Sequence, residues 1–157
     1  KIGGTANPAV VSQVRADVEA AARTLGRNPH EVGIVVGAVT VVDRDGVAAR
    51  ALARRKAALY LPIIAQLDHS LQIEPDLLTR INEAAAAYDF DRAARYVSDD
   101  LLRRLACAGT PEEVAQQTQL LFEAGASRVE FGAPHGVNEE EGLRLLGEAV
   151  LPLLQRD

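Results

Sequence analysis

The stretch from Val32 to Val42, Val-Gly-Ile-Val-Val-Gly-Ala-Val-Thr-Val-Val, constrains this chain more than any other. Every position except Thr40 is apolar or glycine, and no polar residue alternates through it. A strand written this way must be covered on both faces, as strands are in parallel sheets flanked by helices. An antiparallel sheet with one wet face would alternate instead.

Helical patterns stand on either side. Asn7-Pro8 reads as an N-cap followed by proline at the first helical position. Val10, Val11, Val14, Val18, Ala21, Ala22 and Leu25 follow at helical spacing, and Gly26 stops the run. After the strand, Asp43 to Gly46 reads as a turn, and a helix is predicted from Val47 to Tyr60, ending near Pro62. The stretch from Pro62 to Ala108 reads as helical throughout, with Glu74-Pro75 and Ser98-Asp99-Asp100 opening segments inside it. Thr110-Pro111-Glu112-Glu113 has the form of a capping box, and its helix runs to Gly125. Ser127 to Gly132 reads as a short strand, Ala133 to Gly136 as a tight loop, and Asn138 as the cap of the last helix.

This order is α/β alternation with parallel strands, and it is incomplete. Two full strands do not make a stable sheet alone. A complete (β/α)₈ barrel takes about 250 residues, and this chain has 157. The expectation is one partial barrel domain over residues 1–157, with a helical insertion at 62–108. The chain has no methionine and opens on Lys1-Ile2-Gly3-Gly4, a strand end entering a glycine turn, so strand sequence is expected before residue 1.

Composition narrows the function classes. The net charge is −5 without a basic stretch, which argues against nucleic acid as the main partner. No apolar run reaches the ~18 residues a membrane helix needs. The single cysteine excludes an internal disulfide. A reducing, cytoplasmic setting is the default expectation.

Five segments, taken in order, resemble a known family: Gly3-Gly4-Thr5-Ala6-Asn7-Pro8, Val32–Val42, Ala108-Gly109-Thr110-Pro111-Glu112-Glu113, Glu123-Ala124-Gly125-Ala126 and Phe131-Gly132-Ala133-Pro134-His135-Gly136. They look like the C-terminal part of luciferase-like oxidoreductases, nearest to the methylenetetrahydromethanopterin reductase branch. The resemblance implies the C-terminal half of a (β/α)₈ barrel, from the end of strand 6 through helix 8, with the insertion after strand 7. It implies hydride transfer between a deazaflavin, coenzyme F-420, and an organic small-molecule substrate, with FMN-dependent monooxygenation as the alternative. In such a family most cofactor contacts lie on strands 1 to 5, so this stretch alone is expected to be inactive without the N-terminal half. A reading of another class is a non-catalytic α/β module that covers its open edges by forming a homo-oligomer.

Aligned this way, the loop at Gly132–Gly136 falls on the barrel face where active sites sit. Gly132 and Gly136 are candidate cofactor contacts, as are Gly4 and Thr5 in the turn after strand 6. Against an anion there stand Glu139, Glu140 and Glu141, which already complement the last helix. His135 suits proton transfer. Glu130 joins it as a catalytic candidate if its side chain faces the barrel interior; alternation allows only one of Glu130 and Phe131 to do so. Arg54 and Arg55, on the helix the family carries near the barrel mouth, are candidates for a substrate carboxylate or phosphate. Cys107 has no cysteine or histidine beside it and reads as a small buried residue.

Overall fold

The computed structural model describes residues 1–154. Its elements are β1 (Ile2–Gly3), α1 (Pro8–Thr24), β2 (Val35–Val42), α2 (Gly46–Leu67), α3 (Pro75–Ala86), α4 (Phe90–Ala94), α5 (Asp99–Leu105), β3 (Ala106–Gly109), α6 (Pro111–Glu123), β4 (Arg128–His135) and α7 (Glu139–Leu145). A π turn (Leu146–Val150) and a 3-10 turn (Leu151–Leu153) continue α7.

All strand pairs are parallel, and β2 is the strand they share. Gly37 of β2 lies between Gly3 and Glu130, and Val39 between Ala106 and Gly132. Hence β1 and β3 run end to end along one edge of β2, and β4 runs along the other. Strand β2 is covered as its composition requires. One face sends Val36, Ala38 and Val42 into a core with Val11 of α1 and Val114 and Leu121 of α6. The other face sends Val41 into a second core with Ala49, Ala53 and Leu61 of α2 and Leu105 of α5.

Local chemistry sets the helix starts. The Asn7 side chain accepts from Ala9 N–H, Asp45 from Val47 and Ala48, and Ser98 from Leu101. Thr110 and Glu113 complete the capping box at α6.

Three expectations are corrected. Residues 62–108 are not helical throughout: Ala106–Gly109 is a strand, bonded to Val39–Val42. It has no β-branched residue, because its four positions are all buried between α2 and the outer helices and only small side chains fit. Helix α2 does not end near Pro62 but continues to Leu67. Pro62 removes one backbone hydrogen bond, while buried Ala58, Leu61 and Ile64 on either side hold the two halves in line. Finally, β4 extends to His135, past the expected loop at Ala133. Ala133 and Pro134, joined by a cis peptide bond, together oppose the single residue Thr40, which makes a β-bulge.

Candidate functional site at the strand ends

The C-terminal ends of β2 and β4 meet at the pair Val41 and His135. His135 closes the bulge in a left-handed conformation, φ 72°. Its side chain is one-fifth exposed. Nε2 lies 3.2 Å from the carbonyl oxygen of Phe131. Nδ1 is buried without a hydrogen-bond partner, and the nearest carboxylate oxygen, on Glu139, is 3.6 Å away. The imidazole is thus held at Nε2 and left unpaired at Nδ1.

The loop after His135 is fixed by backbone contact. A Cβ on Gly136 would stand 2.5 Å from the Asn138 carbonyl oxygen and 2.7 Å from the Gly142 Cα. Gly136 therefore lets α7 close onto the loop. Asn138 caps α7 at Glu141 N–H. Glu141 takes a bidentate pair from Arg144, at 2.6 and 2.8 Å, and Arg144 also reaches Glu148. The Arg144 hydrogen bonds hold the Glu141 carboxyl below its usual range despite some desolvation. Arg44, from the turn after β2, lies 3.9 Å from the same carboxylate. Two strand ends are thus tied together by charge.

Glu130 does face inward. Val129 and Phe131 pack into the outer core, so Glu130 shares the inner face with Gly37. There it pairs with Lys1, and Arg128 lies 3.8 Å away. The Lys1 hydrogen bond keeps the Glu130 carboxyl below its ordinary range. Glu130 sits at the level of Gly37, however, and His135 at the level of Val41. Four residues of strand separate these levels by about 13 Å. The two catalytic candidates are therefore not brought together: one is at the floor of the sheet and the other at its mouth.

The remaining candidates lie elsewhere. Gly4, at φ 79°, donates to the Gly37 carbonyl, and the Ile64 side chain stands 3.2 Å from the place of its missing Cβ. Thr5 is buried, with its hydroxyl accepting from Asn7 N–H and donating to the Arg104 carbonyl. Gly132 lies so close to β2 that a Cβ would come within 2.8 Å of the Ala38 carbonyl oxygen. Arg54 donates to the Val97 carbonyl and pairs with Asp99, while Arg55 pairs with Asp91 at 3.1 Å. Both guanidinium groups tie α2 to later helices of the insertion.

Sequence reading passed over the buried polar cluster at the end of α2. Asp68 is 6% exposed, accepts from Ser70 N–H and Oγ, and lies 3.4 Å from Asn7 Nδ2. Asn7 was legible only as a cap, because its second role depends on residues sixty positions away. No local signal marked Asp68, because the predicted helix ended near Pro62 and Asp68 fell inside a stretch read as helical.

Comparison with known proteins fits this geometry. The family model described as luciferase-like monooxygenase matches residues 2–128. The chain belongs to that family. Among curated proteins it is similar to the 5,10-methylenetetrahydromethanopterin reductases of Methanopyrus kandleri, 26% identical over 138 residues, and Archaeoglobus fulgidus, 26% over 144. These matches cover 86% and 88% of this chain but 39% and 43% of the two reductases. The chain thus spans less than half the length of the curated relatives it matches. Among solved structures, the coenzyme F-420-dependent tetrahydromethanopterin reductase of Methanopyrus kandleri superposes with a TM-score of 0.81 at 23% identity. That alignment covers 98% of this chain and 45% of the other. The fold is a partial barrel of this type. No helix among the described residues is long and apolar enough to cross a membrane.

Proposed function

We propose that the chain forms the mouth and insertion of a deazaflavin-dependent oxidoreductase, which moves a hydride between coenzyme F-420 and a small organic substrate. The observation that carries this reading is His135: a histidine with an orphaned, buried Nδ1 at the C-terminal end of a parallel strand. In barrels of this type, chemistry is done at the C-terminal face. The curated relatives, reductases by name, support the same reading.

Of the candidates at the mouth, His135 is the one whose side chain is assigned to face the cofactor or substrate; Val39 packs against the insertion core and the Ala38 carbonyl fills the place of a Gly132 Cβ, so both act through the fold. The cofactor supplies hydride transfer when bound. His135 is the proton-carrying group proposed at the mouth, its ring oriented by the Phe131 carbonyl through Nε2. Gly136 acts one step away, setting the loop by close packing against α7. Gly4 and Thr5 act through the fold, because protein atoms already occupy the space in front of them. Residues 1–157 are proposed to be one domain that works with further barrel strands.

Titrating the full-length protein with F-420 and, separately, with FMN tests the reading by fluorescence. Saturable F-420 binding with weaker FMN binding is expected. The opposite order would make the chain part of an FMN-dependent monooxygenase instead.

A further inference from the structure

A groove of about 570 Å³ opens between the first turns of α2, the helix α4 and the loop after β4. Its walls are Ala48, Ala51 and Leu52 from α2, Ala94 at the end of α4, Arg95 just after it, and Val137 from the loop. It therefore joins the segments that follow β2 and β4, on the side of the sheet where those strands end. Arg54, Arg55 and Asp91 complete the lining.

The three arginines are not equivalent. Arg54 is saturated by the Val97 carbonyl and Asp99. Arg55 meets Asp91 through Nε at 3.1 Å, the one carboxylate pairing it makes among the described residues. Arg95 is exposed, and no carboxylate oxygen among the described residues lies within 4.0 Å of its guanidinium. A free guanidinium beside a partly neutralised one, over a floor of small apolar side chains, is a complementary surface for a bidentate oxyanion attached to an apolar body. Asp99 and Asp91 offset Arg54 and Arg55, so the groove keeps the unbalanced charge of Arg95 on a chain that carries −5 overall.

We propose that this groove binds the anionic end, carboxylate or phosphate, of a small organic ligand that enters the mouth, with Arg95 as the principal contact and Arg55 as the second. The apolar part of the ligand lies against Ala48, Ala51 and Leu52. The proposal names a ligand class and holds whichever cofactor the protein uses.

Isothermal titration of the full-length protein with 1-naphthyl phosphate and with 1-naphthoate, no cofactor present, tests it and distinguishes the two anions. Saturable binding of at least one is expected, weakened about fivefold by Arg95→Gln and further by adding Arg55→Gln. Raising the salt concentration should weaken it as well. The methyl resonances of Ala48 and Ala51 should shift on binding. Failure of both anions to bind overturns the proposal, as does binding that Arg95→Gln leaves unchanged. Because neither readout uses hydride transfer, a failure of the proposed activity does not touch this result.

Discussion

The two cores on either side of β2 are built from different residues. The outer core, under α1, α6 and α7, contains Val11, Val36, Val114, Leu121, Leu145 and Val150. The core under the insertion is alanine-rich, with Ala49, Ala53, Ala57, Ala58, Ala84 and Ala93. Large side chains at helical spacing hold the outer helices at a fixed distance from the sheet. Alanines let α2, α3 and α4 approach closely, while Leu61, Ile81, Leu102 and Leu105 fill the space that remains between them.

Substitutions separate the two cores. Leu121 is fully buried in the outer core, and Leu121→Ala should cost about 3 kcal/mol in chemical denaturation of the full-length protein. A cost under about 1 kcal/mol would mean that this core is looser than described. Ala53 has no exposed surface in the insertion core, and Ala53→Leu should cost about 2 kcal/mol by overpacking. If that change were neutral, close helix approach would not be what organises the insertion. Thr110→Ala removes the cap and half of the capping box at α6, and should cost about 1 kcal/mol.

The last effect is pH-dependent and concerns Cys107, which sits in the outer core with its thiol pushed up to about 12 by burial, against an opposing hydrogen bond with Thr118. The unfolded thiol titrates near about 8.5. A group raised on folding stabilises fully below the unfolded value, so this contribution is lost as pH climbs from about 8.5 towards 12. Cys107→Ala should flatten the alkaline arm of the stability profile. An unchanged arm would place that pH dependence elsewhere.

The same contrast explains what was legible in the sequence. The outer layer announced itself through local signals: Asn7-Pro8, the capping box at Thr110 and the two-faced apolar strand. Each depends on residues within a few positions. Strand β3 did not, because Ala-Cys-Ala-Gly is a strand only through its bonds to Val39–Val42. The same holds for the bulge before His135, which is defined by register against Thr40. Alternation correctly allowed either Glu130 or Phe131 inside, and only packing against α6 and the C-terminal turns chose between them. The separation of Glu130 from His135 was invisible for a similar reason, since five positions along β4 span both floor and mouth. Arg54 and Arg55 stood out as a cluster, yet the guanidinium of this groove without a carboxylate partner among the described residues is Arg95, which only the fold brings beside them.

Placing the chemistry at the mouth and not at the floor is the central claim. It is tested most directly by kcat/KM for the proposed F-420-dependent hydride transfer in the full-length protein carrying His135→Gln or Glu130→Gln. The account predicts a loss of about a hundredfold for His135→Gln and a change within about twofold for Glu130→Gln, whose partners are surface-accessible charges. A rate that survives His135→Gln and collapses with Glu130→Gln would contradict it.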